Sequence, residues 1–221
     1  MELLRQGDTR FGTHFIMLER LMEVQGPLQR MVVSQEWKNW SGFVLTEKNH
    51  VKLLLLDNVF WNAIEFIVKI TKPIFYLLRL VDSGKPTTGK LYGHMQYVIN
   101  TLNALQDIDI EKKASVIDIL EKRWCFILSP LHCAGYALNP EYRGRGQESM
   151  EEVITGFTTI RNKFFPREDD QVLIELQLAA YRNKEGLFSD PISMRLAKET
   201  FSIRLVGTIR WWNTSIANSC N

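Results

Sequence analysis

Residues 57–82 read DNVFWNAIEFIVKITKPIFYLLRLVD and form the longest hydrophobic pattern in the chain. Polar residues recur within it at spacings of three and four, which places them on one narrow stripe of a helix. Apolar residues cover most of the remaining circumference, so the pattern predicts a helix that is buried on nearly all sides. Pro73 lacks an amide hydrogen and is expected to kink this helix without ending it. The stripe consists of Asn62, Glu65, Lys69, Lys72, Tyr76 and Arg79.

A membrane span is the alternative interpretation of residues 57–82. Four charged side chains lie in the middle of the stretch, and each would be costly to place in hydrocarbon. Their alignment on one face suits the solvent edge of a helical bundle better. We therefore expect no membrane span here.

The composition is that of an ordinary globular chain. Its 221 residues are 45% hydrophobic and 24% charged, enough to bury a substantial core. A net charge of +2 gives the whole protein no strong attraction to nucleic acid or to anionic membranes. The first residues do not resemble a secretory signal, and the three cysteines, Cys125, Cys133 and Cys220, lack the spacing of a metal site. We expect a nuclear or cytoplasmic protein that binds no metal and no cofactor.

Helical periodicity recurs along most of the chain and predicts an all-α fold, a multi-helix bundle of roughly nine or ten helices with a central kinked helix near 57–82. We expect a single helical domain over residues 1–221, with flexible tails at 1–8 and 214–221. Besides the central helix, the pattern predicts helices at 9–25, 27–37, 50–56, 91–106, 110–128, 131–138, 149–165, 169–182 and from 190 onward, and a last segment at 203–217.

The segment SPLHCAGYALNPEYRG, residues 129–144, is rich in small side chains. Ala134, Gly135 and Ala137 leave little to separate it from a neighbouring helix, so a close approach of two backbones is expected. His132 beside Cys133 raises the alternative of a metal site or a nucleophile. Adjacent residues point to different sides of a helix and no third ligand has a suitable spacing, which favours a structural role.

Two regions are candidate binding sites for macromolecules. A basic turn carries Arg143 and Arg145, and with Arg161, Lys163 and Arg167 it could contact phosphates, although solvated charges are the more common outcome. Near the end of the sequence, Trp211 and Trp212 are adjacent. Paired tryptophans are either packed anchors or part of a binding surface.

An ordered set of segments resembles plant hAT-superfamily transposases, and the resemblance covers roughly residues 9–213. It begins with Thr9-Arg10-Phe11 and Leu18-Glu19-Arg20-Leu21, continues through the central helix, and ends at Trp211-Trp212. Arg210 and the tail 214–221 depart from the family pattern. The segments between are Phe60-Trp61, Lys69–Pro73, Leu78–Asp82, Arg123-Trp124, Pro130–His132, Ala134–Tyr136, Leu138–Pro140, Gly186–Phe188 and Asp190-Pro191.

The resemblance implies the helical domain that is inserted into the RNase H-like core of these transposases. The family's first two catalytic aspartates lie upstream of the segment matched by Thr9–Phe11, and its catalytic glutamate lies downstream of the tryptophan pair, so the resemblance supplies none of the three carboxylates. Two-metal strand cleavage needs all three to converge. We therefore expect a protein that is not an enzyme.

The leading hypothesis is a transposon-derived helical domain that acts in a plant regulatory or selfish-element context by binding another protein, through Trp211 and Trp212. A remnant DNA-binding module is the alternative, and an unrelated cysteine or histidine enzyme around His132 and Cys133 is a residual one. A homo-oligomer is also compatible with the sequence. The beginning at Met1 and the divergent tail favour a natural short protein.

Overall fold

The computed structural model describes residues 3–4, 12–83, 87–106, 108–192 and 195. These residues form ten α-helices and no strand, which confirms the all-α prediction. Short 3-10 helices occupy Gln147–Ser149 and Gly186–Ser189. The α-helices are α1 (Thr13–Glu23), α2 (Gln25–Val33), α3 (Gln35–Asn39), α4 (Leu45–Leu56), α5 (Asn58–Val81), α6 (Thr88–Ala104), α7 (Ile110–Ile127), α8 (Pro130–Leu138), α9 (Glu151–Phe164) and α10 (Glu168–Asn183).

The chain divides into two compact units. Unit 1 comprises the residues up to Tyr76 together with Leu105–Asp109, and unit 2 comprises Leu77–Ala104 and the residues from Ile110 onward. The expectation of a single domain over residues 1–221 stays a prediction. The predicted tails, 1–8 and 214–221, lie outside the described residues except for Leu3 and Leu4.

Helix α5 continues through Pro73 to Val81, so the proline does not end it. The prediction that this helix is buried on nearly all sides is wrong. Trp61, Ile64, Ile70 and Pro73 are buried, but Val59 is 75% exposed and several other apolar side chains of the helix are partly exposed. An amphipathic helix that packs along one face leaves its remaining apolar residues in solvent.

The polar stripe of α5 is largely a solvent edge. Lys69 pairs with Glu65 one turn away at 2.8 Å, and Lys72 pairs with Glu19 of α1 at 3.0 Å. All four side chains are at least one third exposed, so each pair contributes less than about 1 kcal/mol to stability. The ion pair with Glu19 therefore links α5 to α1 only weakly, and most of the stripe faces solvent.

The core of unit 1 forms where α2 and α4 meet the first half of α5. Val32, Leu55, Trp61 and Ile64 are buried together. The indole Nε1–H of Trp61 donates to the Leu55 carbonyl at 2.7 Å, and the Gln29 amide donates to the same oxygen at 3.2 Å. One carbonyl of the last turn of α4, which lacks a helical partner, is therefore satisfied by two side chains.

Side-chain hydrogen bonds set two boundaries that differ from the prediction. The helix expected at 27–37 is divided at Ser34, whose backbone is extended and whose Oγ accepts a hydrogen bond from the Trp37 amide at 3.2 Å. The helix expected at 50–56 begins earlier, at Leu45. Its Lys48 is buried, and Nζ donates to the Lys38 carbonyl at 2.9 Å and to the Trp40 carbonyl at 2.5 Å.

The core of unit 2 is organised around α8, which packs against α6 on one side and α9 on the other. The predicted close approach is confirmed, because Ala134, Gly135 and Ala137 are all buried. The neighbouring helices also present glycines at the contacts. A Cβ at Gly93 of α6 would come within 2.7 Å of the Tyr142 ring.

Candidate functional site

Helix α8 is held at both ends by polar contacts. At its start, Pro130 occupies the first helical turn and the Nδ1 atom of His132 accepts a hydrogen bond from the Ser129 amide at 3.1 Å. At its end, the buried Asn139 donates from Nδ2 to the Gly89 carbonyl at 3.2 Å and accepts from the Glu141 amide at 3.0 Å. The helix therefore has a fixed position between its neighbours.

Three tyrosines form a polar-edged aromatic cluster around α8. The ring of Tyr136 lies 4.7 Å from that of Tyr92 and 4.8 Å from that of Tyr142, measured between centroids. Tyr92 donates its hydroxyl hydrogen to Oε2 of Glu152 at 2.8 Å. Burial raises the pKa of Tyr92, and it raises the pKa of Tyr142 to about 12. These hydroxyls stay protonated near neutral pH, and that of Tyr92 joins α6 to α9.

His132 and Cys133 have the structural environment that the sequence favours. Burial lowers the pKa of His132, whose Nδ1 is already engaged by Ser129. Burial, reinforced by the Glu152 carboxylate, raises the pKa of the Cys133 thiol to about 11. A thiol in this state carries almost no thiolate at neutral pH, so it is a poor nucleophile and a poor metal ligand. Within the described residues, no group of three histidine, cysteine or acidic side chains could hold a metal ion.

Arg143 and Arg145 have different environments in the predicted basic turn. Arg143 is half-buried; its Nη1 donates to the carbonyls of Tyr181 at 3.1 Å and Phe188 at 3.3 Å, and its guanidinium lies 5.1 Å from the Tyr181 ring centroid. Arg145 is exposed and lies over the Tyr142 ring at 5.6 Å. Part of Arg143 thus holds the fold together, while Arg145 faces solvent.

The remaining basic candidates lie near the other end of α9. Arg161 forms an ion pair with Glu175 of α10, and its side chain is mostly buried. Lys163 and Arg167 are exposed and make no polar contact within the described part of the chain. Ten helical residues separate the start of α9 from Arg161, which amounts to roughly 15 Å. The five basic side chains therefore do not converge on one phosphate.

The tryptophan pair Trp211 and Trp212 lies outside the described residues, so its proposed role stays a prediction.

Helix α7 carries exposed apolar side chains that the sequence analysis does not predict. Phe126 is 87% exposed, Ile119 is 56% exposed and Ile127 is 52% exposed. Ile119 and Phe126 are seven residues apart and so share one face of the helix. We call these three side chains the α7 surface. The sequence signal for this surface is the presence of apolar residues on α7 besides the inward-facing ones, which are Val116, Ile117, Leu120 and Trp124.

A cleft of about 360 Å³ opens where the last turn of α10 faces the turn after α8. Arg143, Gly144 and Glu148 line one side, and Arg182 and Asn183 line the other. The remaining lining residues are Ala137, Gln147, Ala179 and Tyr181, and the small side chains of the two alanines leave room for a ligand. The cleft brings together residues that are about forty positions apart in sequence, so no local sequence motif predicts it.

None of the helices among the described residues is long and apolar enough to cross a membrane. Comparison with known proteins returned no matching family model, no matching curated protein and no matching solved structure. The resemblance to hAT transposases therefore stays a prediction.

Proposed function

We propose that this protein is a non-catalytic, transposon-derived helical domain that acts by binding another protein. The supporting observation is the α7 surface. Phe126 exposes nearly all of its side chain to solvent beside the half-exposed Ile127, and Ile119 lies two turns earlier on the face of Phe126, with the exposed charged residues Lys122 and Arg123 between them. Exposed apolar side chains rimmed by polar residues mark interaction sites, and aromatic residues are enriched among those that dominate binding energy. The proposal keeps the plant regulatory or selfish-element context and a nuclear or cytoplasmic location.

The burial of Cys133 and the engagement of His132 also favour this proposal over an enzyme built on that pair. An active cysteine needs an accessible sulfur with a lowered pKa, whereas the pKa of Cys133 is raised to about 11. The Trp211–Trp212 pair remains part of the proposal as a second contact region.

Co-purification from native extract tests the proposal. The tagged protein is compared with a Phe126→Ser/Ile127→Ser variant, a Trp211→Ala/Trp212→Ala variant, and a Tyr97→Ser control, since Tyr97 is 62% exposed on α6. We expect the captured partner to be lost from the Phe126 variant and retained by the control. An identical set of partners in all four samples would overturn the assignment of the α7 surface and of the tryptophan pair.

DNA binding is the second candidate, favoured by the exposed cations Lys163 and Arg167 at the α9–α10 connection. Two phosphate contacts predict that the logarithm of the binding constant falls with the logarithm of salt concentration at a slope of about −1.8. A mobility-shift titration with duplex DNA, repeated for Lys163→Gln/Arg167→Gln, measures this slope. Absence of binding at low ionic strength removes this candidate.

A further inference from the structure

The cleft beside Arg143 contains one cationic donor whose position is fixed before any ligand arrives. Arg143 uses Nη1 for the carbonyls of Tyr181 and Phe188, and the central carbon of its guanidinium lies 5.1 Å from the Tyr181 ring centroid. Its Nε and Nη2 atoms have no hydrogen-bond partner among the described residues. A guanidinium that is already held in place loses little conformational freedom when it binds a ligand.

Arg182 supplies a second cation from the opposite side of the same cleft. It lies in the last turn of α10, is exposed, and makes no polar contact within the described residues. The carbonyl of Tyr181, which would repel an anion at this helix end, already accepts a hydrogen bond from Arg143. Two arginines therefore line the cleft, and neither forms an ion pair within the described residues.

Glu148 limits which anion fits. Its carboxylate lines the cleft and, within the described residues, has no cationic partner. Two positive charges and one negative charge leave the cleft with a net charge of +1, which suits a single carboxylate and disfavours a chain of phosphates. The volume of about 360 Å³ accommodates one side chain with its flanking backbone and is at the small end of ligand pockets.

We infer that this cleft binds the carboxylate of an acidic side chain, Asp or Glu, presented by a peptide segment of a protein partner. The donors of Arg143 and Arg182 contact the carboxylate oxygens, and the small residues Ala137 and Ala179 leave space for the methylene groups. This site is separate from the α7 surface, so either one can fail without the other.

An NMR titration of the whole protein tests the inference. The probe is N-acetyl-glutamate N-methylamide, and N-acetyl-glutamine N-methylamide is its neutral control. We expect saturable shifts at the amides of Gly144 and Arg182 with the charged probe alone. Probe concentrations of up to roughly 10 mM suffice, because the two charge-assisted contacts together correspond to a dissociation constant of about 1 mM.

Three variants relate the binding to the cleft. Arg182→Gln removes an exposed side chain and is expected to weaken binding about tenfold, which corresponds to the loss of one charge-assisted hydrogen bond. Glu148→Gln removes the opposing carboxylate and is expected to tighten binding about threefold. Lys163→Gln, near the far end of α9, is the control. It removes one positive charge, as Arg182→Gln does, and it is expected to bind the charged probe as tightly as wild type.

Three outcomes would overturn the inference. The first is a titration without localised shifts. The second is equal binding by wild type and Arg182→Gln, or an equal loss in Lys163→Gln, which would indicate attraction by overall charge. The third is tighter binding of inorganic phosphate or duplex DNA at the same amides, which would assign the cleft to phosphate instead of carboxylate.

Discussion

Gly156 of α9 lies directly against Cys133 of α8. A Cβ atom at residue 156 would come within 2.4 Å of the Cys133 Cβ and 2.9 Å of its Sγ. Such a distance cannot be accommodated unless the two helices separate. The absence of a side chain at Gly156 therefore allows α9 to lie this close to α8.

Gly156→Ala is accordingly expected to destabilise the protein by about 2 kcal/mol, since overpacking a close contact outweighs the gain in helix propensity. Urea unfolding followed by circular dichroism measures the effect. Gly26→Ala is the control, because a Cβ there meets only the Arg30 side chain at 3.5 Å. That variant is expected to be neutral or stabilised by up to about 1 kcal/mol. Equal stability of the two variants would contradict the close contact at Gly156.

Lys48 provides a test of unit 1. Lys48→Met keeps the length of the side chain but leaves the carbonyls of Lys38 and Trp40 without their charged donor, at an expected cost of about 2 kcal/mol. Urea unfolding followed by circular dichroism measures the cost. Lys52→Met, one turn further along α4, is the control and is expected to change stability by less than about 0.5 kcal/mol. An equal loss of stability in Lys48→Met and Lys52→Met would show that the two hydrogen bonds of Lys48 do not stabilise the end of α3.

The two cysteines within the described residues are expected to differ in reactivity. Cys125 is exposed, whereas Cys133 is buried and its pKa is raised to about 11. In a Cys220→Ser background, iodoacetamide followed by mass spectrometry should label Cys125 in the native protein and label Cys133 only after unfolding. Comparable labelling rates in the native state would contradict the burial of Cys133 and would reopen its role as a nucleophile.

Alkaline pH is expected to destabilise unit 2. A tyrosine in the unfolded chain releases its proton near pH 10, while Tyr142 in the folded protein retains its proton to about pH 12. Between these values the unfolded state binds fewer protons, so the free energy of unfolding falls as pH rises. Urea midpoints measured across this range should fall less steeply for Tyr142→Phe than for wild type. Tyr97→Phe is the exposed control, and the same slope in both variants would refute the assignment to Tyr142.

The sequence predicts the helical content well because periodicity depends on which side chains are apolar. The core face of α7 and the small residues of α8 follow directly from that pattern. The division at Ser34 and the early start of α4 do not, since they depend on individual hydrogen bonds made by Ser34 and Lys48. Periodicity also overestimates the burial of α5, because it counts apolar residues but does not show which neighbours cover them.

The candidate sites are less predictable than the helices. Arg143 appears in the sequence as a phosphate contact, yet its two carbonyl partners lie 38 and 45 residues away, a distance that no local pattern encodes. Contacts between residues distant in sequence also form the cleft that Arg143 and Arg182 line. The α7 surface is predictable in part, because Ile119 and Phe126 share a helical face. Apolar periodicity does not show, however, which apolar residues a neighbouring helix leaves exposed.

The shortness of α8 has a consequence for how the chain folds. Its nine residues fall below the roughly 12–15 that an isolated helix needs to persist in water. Helix α8 therefore forms only as α6 and α9 close around it, and the hydrogen bond from Tyr92 to Glu152 joins residues sixty positions apart. During synthesis, the inward face of α6 can be buried only after α9 has left the ribosome. Until then, the apolar face of α6 is exposed, and exposed apolar surface is where aggregation of an incomplete chain begins.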